Sequence, residues 1–286
     1  MKILLAKNAG YCFGVRDAVD MAYDTAKEHG DVYMLGHIVH NENVVNDLDK
    51  AGAKVVDSLD KVPDGRPVLL RAHGTHVDTW KEAKQKNMNI VDATCPLVRD
   101  IHDEIKQLET DGRKIIIIGD HGHDEVVGIA SQVKNPMIVA TPEEAIKLRK
   151  TKRAGVVSQS TQTIENVQEI VNILMNKVVD LRFINTICFP TKRNQEQIKE
   201  LSEKCDVMFV IGSFTSANSK RLTDLSKERN KRSYQVTCAL DINEKWLEDC
   251  NVVGISAGAS TPDNIIEEVL ERIKEIGNVQ EEEIYA

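Results

Sequence analysis

Residues 12–42 read CFGVRDAVDMAYDTAKEHGDVYMLGHIVHNE, residues 95–125 read CPLVRDIHDEIKQLETDGRKIIIIGDHGHDE and residues 188–218 read CFPTKRNQEQIKELSEKCDVMFVIGSFTSAN. Aligned on their cysteines, the three stretches share one register. Gly36, Gly119 and Gly212 close an apolar run 24 residues on, His40, His123 and Ser216 lie 28 residues on, and Glu42, Glu125 and Asn218 lie 30 residues on. A register held three times is an internal repeat, and a repeat decides architecture ahead of local propensity. Equivalent cysteines at Cys12, Cys95 and Cys188, related by a pseudo-threefold axis, can converge on one point, which suggests a shared inorganic centre.

Within each copy the pattern alternates. A helix with apolar residues at helical spacing follows the cysteine (Val15, Ala18, Val19, Ala22 and Ala26; Val98, Ile101, Ile105 and Leu108; Ile198 and Leu201). After the glycine strand and a second helix comes a short strand: KVV at 54–56, MIVA at 137–140, YQV at 234–236. The acidic stretches SLDK, TPEE and DINE then suit helix starts. A third strand ends in a polar loop, VLLRAHG at 68–74, GVVSQST at 155–161 and VGISAGAST at 253–261. The helix after the last of these opens at Ser260-Thr261-Pro262-Asp263, with proline expected near its first turn. A fourth strand, IVDA at 90–93 or LRFI at 181–184, leads into the next cysteine.

Short β-rich runs alternating with amphipathic helices imply parallel sheets. The third copy lacks its fourth strand, because GNVQEEEIYA is polar and acidic, whereas ILLA at 3–6 has no place in the first. Closure through ILLA gives an α/β trefoil of three mostly parallel four-stranded sheets flanked by helices around a central cavity. The expected units are residues 13–94, residues 95–187, and residues 188–280 with strand 1–12, leaving 281–286 as a tail. Ligand loops in such units lie beyond the carboxyl ends of the strands, and the polar motifs all fall there.

The 286 residues can bury a substantial core, and no run approaches the ~20 apolar residues of a membrane helix. The start leads too directly into the first repeat for a signal peptide, so the chain reads as cytoplasmic with no membrane partner. A net charge of −8 disfavours nucleic acid. The six cysteines are scattered without CxxC, which argues for free or metal-bound thiols. Cys205, Cys238 and Cys250 fall outside the register and read as ordinary buried small residues.

Each repeat cysteine sits where a helix begins, and there the helix terminus and cations such as Arg16 and Arg99 favour thiolate. Soft thiolates select zinc, Cu(I) or an iron–sulfur cluster. Three cysteines without a fourth fit a cubane with one open iron, and a Cys3His zinc site stands beside it as an alternative. His40, His73 and His123 in strand-end loops, with Ser216, Asn218, Ser219, Ser260 and Thr261, make a donor set for a compact diphosphate or a di-acid. No GxGxxG or P-loop motif points to a dinucleotide or nucleoside triphosphate. Glu125 is a carboxylate among these donors, able to carry a proton, while Glu42 and Asp124 read as solvated first-turn acids.

At GYCFGV, IVHN, RAHG, DATCP, GHDEV, the SQST loop, NTIC, GS…S-x-NS and SAGAS-x-PD the chain resembles the 4-hydroxy-3-methylbut-2-enyl diphosphate reductase family. The resemblance implies a [4Fe–4S] cluster with one open iron, held by Cys12, Cys95 and Cys188. It implies diphosphate binding by His40, His73, His123, Ser216, Asn218 and Ser260, and proton supply by Glu125. Ser160 stands where the family often has a threonine that orients the substrate hydroxyl. Ala217 stands in place of a frequent serine, so a phosphate contact there would come from its backbone N–H. Phe189-Pro190 replaces a common small or polar pair. The expected function is reductive removal of hydroxyl from an allylic diphosphate, fed by a reduced donor such as ferredoxin or flavodoxin. The alternatives are a quinolinate-synthase-like dehydratase, or a metal-binding sensor without turnover.

Overall fold

The computed structural model describes residues 1–277 and 279–285. Strand β1 is Lys2–Ala6 and helix α1 is Phe13–His29. The first repeat continues with β2 (Val32–Leu35), α2 (Glu42–Lys50), β3 (Ala53–Val56), β4 (Pro67–Leu70), α3 (Val77–Gln85) and β5 (Asn89–Asp92). The second contains α4 (Pro96–Thr110), β6 (Lys114–Ile118), α5 (Asp124–Ala130), β7 (Met137–Val139), α6 (Pro142–Lys147), β8 (Thr151–Ser158), α7 (Ile164–Met175) and β9 (Val178–Phe183). The third contains α8 (Phe189–Glu203), β10 (Val207–Ile211), α9 (Ala217–Arg229), β11 (Ser233–Val236), β12 (Val252–Ala257), α10 (Asp263–Ile276) and β13 (Glu281–Tyr285).

All described strand pairs are parallel, in the orders β3-β2-β4-β5, β7-β6-β8-β9 and β11-β10-β12-β1-β13. Strand β1 takes in the third sheet the position that β5 and β9 take in the others, as the spare ILLA run implies. The tail departs from expectation. Residues 281–285 add a fifth strand on β1, although glutamates are poor strand formers. Lys2 bonds Glu281 and Glu283 across the pair, Lys274 reaches Glu282, and Lys204 Nζ lies 2.6 Å from the Tyr285 hydroxyl. The charged side chains also discourage further pairing at this edge.

Helix starts differ from expectation in three places. Only TPEE opens an α-helix, capped by the Thr141 hydroxyl. SLDK and DINE form short 3-10 turns at Leu59–Lys61 and Glu244–Leu247. Pro262 occupies the N-cap of α10 rather than its first turn, without a side-chain cap.

Two compact units emerge: Met1–Val15, His40–Val44 and Phe189–Ala286 form one, and Arg16–Val39 with Val45–Cys188 forms the other. The first contains the five-stranded sheet. Val207, Phe209 and Ile211 of β10 face one apolar cluster while Met208 and Val210 face another, so this sheet is covered on both sides. In the second unit Ile116 and Ile118 of β6 alternate with Ile115 and Ile117 in the same way. Side chains packed on the third strands leave no room for a Cβ at two glycines: at Gly155 it would lie 2.9 Å from Leu108 of α4, and at Gly254 it would lie 2.5 Å from Met208 of the neighbouring strand β10.

Within the second unit His102 of α4 packs on the backbone of Gly74, where a Cβ would stand 2.9 Å from its ring. Burial, aided by the charge of Lys106, lowers its pKa from 6.5 to about 4. Between those values the unfolded chain binds the proton and the folded chain does not, so stability falls as pH drops from about 6.5 towards 4. His102→Gln should remove about 2 kcal/mol of that acid-side loss. Urea unfolding at pH 7 and pH 4.5 checks it, and an unchanged pH slope would contradict the assignment.

Candidate active site

Three backbone bonds recur at the loop ends. The Cys12 N–H donates to the carbonyl of Ala259 (3.3 Å), that of Cys95 to Ala72 (3.0 Å) and that of Cys188 to Ser160 (3.0 Å). Each acceptor lies two residues beyond the end of its third strand, β12, β4 or β8. The repeat glycines show the same equivalence: Gly36, Gly119 and Gly212 donate to Val56, Val139 and Val236, the last residues of β3, β7 and β11. Each cysteine immediately precedes a helix (α1, α4 or α8), and each is half-buried and in no disulfide. Cys205, Cys238 and Cys250 are also half-buried rather than fully so. Burial pushes the Cys205 thiol up to about 11 and raises that of Cys250, which keeps both protonated near neutrality.

In the first unit, segment 40–44 is tied to two third-repeat loops. Asn41 Nδ2 donates to the Ser260 carbonyl (2.8 Å), and the Ser260 hydroxyl donates to the His40 carbonyl (3.2 Å). Glu42 is not simply a solvated first-turn acid, since its Oε1 accepts from the hydroxyls of Ser213 (2.9 Å) and Thr215 (3.0 Å). Ser216 caps α9 by accepting from Ser219 N–H, leaving Ala217 as the first helical residue. Asn218 is buried, and its Nδ2 has no hydrogen-bond partner among the described residues.

In the second unit, His123 caps α5 with its Nδ1 accepting from Glu125 N–H (3.2 Å). His73 meets the His123 ring edge to face at 5.8 Å. In the first copy the capping role moves one residue along to Asn41, whose Oδ1 accepts from the amides of Asn43 and Val44. Glu125 is 2% exposed, and Ser160 holds both its carboxylate oxygens: the Ser160 N–H donates to Oε1 (2.6 Å) and its hydroxyl to Oε2 (2.8 Å). Ser160 therefore joins Glu125 through its N–H and hydroxyl to the Cys188 backbone through its carbonyl.

Arg71 is the residue that sequence reasoning overlooked inside its own RAHG motif. Its guanidinium pairs with Asp124 at 2.5 Å, so Asp124 is a half-buried ion-pair partner rather than a solvated first-turn acid. The pair joins the loop of His73 to the helix start of His123 and lines a polar cavity of about 390 Å³. The guanidinium also rests on Gly36, where a Cβ would come within 3.0 Å and φ is +75°.

The profile of the LytB protein family matches residues 3–274. The chain belongs to the LytB family. It is similar to 4-hydroxy-3-methylbut-2-enyl diphosphate reductase from Geobacter metallireducens, 40% identical over 98% of this chain and 99% of that relative. It is also similar to the reductase of that name from Caldanaerobacter subterraneus subsp. tengcongensis, 37% identical over 99% of this chain and 100% of the relative. Among solved structures it resembles E-1-hydroxy-2-methyl-but-2-enyl-4-diphosphate reductase from Plasmodium falciparum, with a TM-score of 0.92, 29% identity and coverage of 99% and 92%. A second, (E)-4-hydroxy-3-methyl-but-2-enyl diphosphate reductase, described as the terminal enzyme of the non-mevalonate pathway, gives a TM-score of 0.70 at 37% identity, covering 96% of this chain and 99% of that one. Among the described residues, no helix is long and apolar enough to cross a membrane.

The Arg71–Asp124 pair is three-quarters buried on the arginine side, so it should couple measurably. In a double-mutant cycle of Arg71→Ala and Asp124→Asn, an interaction energy of about 1–2 kcal/mol is expected, declining with salt. Strict additivity in denaturant unfolding would show that the pair does not brace the two histidine loops.

Proposed function

We propose that this LytB-family chain removes the hydroxyl of 4-hydroxy-3-methylbut-2-enyl diphosphate, giving isopentenyl and dimethylallyl diphosphates. Family membership supports the reaction class. The observation supporting the site is Glu125, buried and fixed by Ser160, whose carbonyl also receives the Cys188 amide. Cys12, Cys95 and Cys188 would hold a [4Fe–4S] cluster with one open iron. Three cysteines at helix starts, none in a disulfide and all in equivalent backbone settings, are a donor set that fits it. Bound there, the cluster supplies single electrons and a Lewis-acidic iron.

The rest of the chemistry belongs to the side chains. His40, His73, His123, Ser216, Asn218 and Ser260 would recognise the diphosphate, and Asn218 Nδ2 has a donor to offer it. Ala217 would contribute its N–H, one of the orphan donors of a helix's first turn. Glu125, protonated, would pass a proton through the Ser160 hydroxyl to the departing oxygen, since Oγ and Oε2 lie 2.8 Å apart. Overall the C–O bond breaks, a C–H bond forms at either end of the allyl unit, and two electrons and two protons are consumed as water leaves. The electrons would come from a reduced donor such as ferredoxin or flavodoxin, and the cytoplasm would supply both donor and substrate.

Replacing Cys12, Cys95 or Cys188 by Ser should remove most iron and activity from anaerobically purified protein, whereas Cys205→Ser should retain both. Iron retained in Cys188→Ser and lost in Cys205→Ser would overturn the ligand set. Glu125→Gln should bind substrate and slow turnover about 100- to 10,000-fold, and near-normal turnover would remove the proton role. Asn218→Ala should weaken product binding by about 1.5–3 kcal/mol with iron content intact.

A further inference from the structure

In the first unit, Phe13 and Phe189 stack on each other with ring centroids 5.6 Å apart and planes 8° apart. They are 39% and 57% exposed, and neither packs on the two apolar clusters that cover the five-stranded sheet. The chain has five phenylalanines in all, so placing two of them face to face at the surface is a large share. Each follows a repeat cysteine directly, Phe13 after Cys12 and Phe189 after Cys188. Neither helix that they open carries an acid in its first turn. Arg16 lies in the first turn of α1, and Lys192 and Arg193 follow Phe189 at the i+3 and i+4 positions that share its helix face. The nearest acids on these two helices are Asp17, one turn along from Phe13, and Glu196, two turns along from Phe189.

We propose that the Phe13–Phe189 stack with Lys192 and Arg193 is the docking surface for a small acidic one-electron carrier protein, an inference that rests on the reductase reading above. The charge argues for this occupant. A chain of net charge −8 repels an acidic partner over most of its surface, so an acid-free turn bearing two cations and an exposed aromatic pair orients the encounter. The composition argues the same way, because aromatic residues and arginine are enriched where partners meet and redox encounters use small patches. Each encounter oxidises one carrier by one electron, and two encounters with two protons turn one allylic alcohol into one alkene and one water.

The test uses the cluster-loaded protein and an acidic bacterial ferredoxin as probe, with two readouts. Calorimetric titration with oxidised ferredoxin should give binding that weakens at least tenfold between 50 and 300 mM salt. It should also weaken at least tenfold in Phe189→Ser and in Arg193→Glu. Turnover driven by reduced methyl viologen should stay within twofold of wild type in both variants, while ferredoxin-driven turnover at limiting donor falls at least tenfold. Unchanged ferredoxin affinity in both variants would overturn the proposal, as would absence of binding to the wild type. Loss of methyl-viologen turnover in the wild type itself would instead strike the reductase reading, and the affinity readout would still decide the docking surface.

Discussion

A helix-start amide donating to a carbonyl just past a neighbouring strand recurs at Cys12, Cys95 and Cys188, and the loop geometry hangs on that bond. In a parallel sheet every strand ends at the same edge, so every following helix must begin there. The link fixes the offset between the two: the cysteine's backbone is tied two residues beyond the end of the third strand. The side chain of each cysteine therefore starts from the same backbone setting in all three repeats. The second recurring bond, from Gly36, Gly119 and Gly212 to the ends of β3, β7 and β11, fixes the other side of each loop region. The residues between are free to vary in chemistry without disturbing the sheet, which is why His123 and Ser216 cap a helix at equivalent places and Asn41 does so one residue further on.

The chemistry of these loops is set against the chain's overall charge. The surface is net acidic, yet the loops collect imidazoles, hydroxyls and helix N-termini. The main buried carboxylate among them, Glu125, is held by two hydrogen bonds from a single neighbour, Ser160. With one bond to each oxygen, Ser160 fixes both ends of the carboxylate.

The parts legible in the sequence were those that repetition encodes. The register of cysteine, glycine and polar residue located the strands and helix starts, and the apolar ILLA run found its sheet because one position was left open. Features that depend on one copy alone were not legible. Strand β13 has the composition of a solvated tail, and its pairing rests on partners such as Lys2 at the far end of the chain. The Arg71–Asp124 pair joins two different repeats, so no local pattern marks it, and each residue alone reads as surface charge. Glu42 escaped in the same way, since the hydroxyls that bind it lie at 213 and 215.

The position of β1 has a consequence for biosynthesis. It lies between β12 and β13, with Lys2 paired to Val252 on one side and Glu281 on the other. A ribosome adding about 5–20 residues per second makes β1 roughly ten to fifty seconds before its neighbours exist. The two four-stranded sheets, whose strands lie close together in sequence, can form while the chain is still emerging. The apolar Ile3 and Leu4, buried in the finished sheet, must meanwhile stay uncommitted. The sheet that carries the first cysteine is thus the last to form.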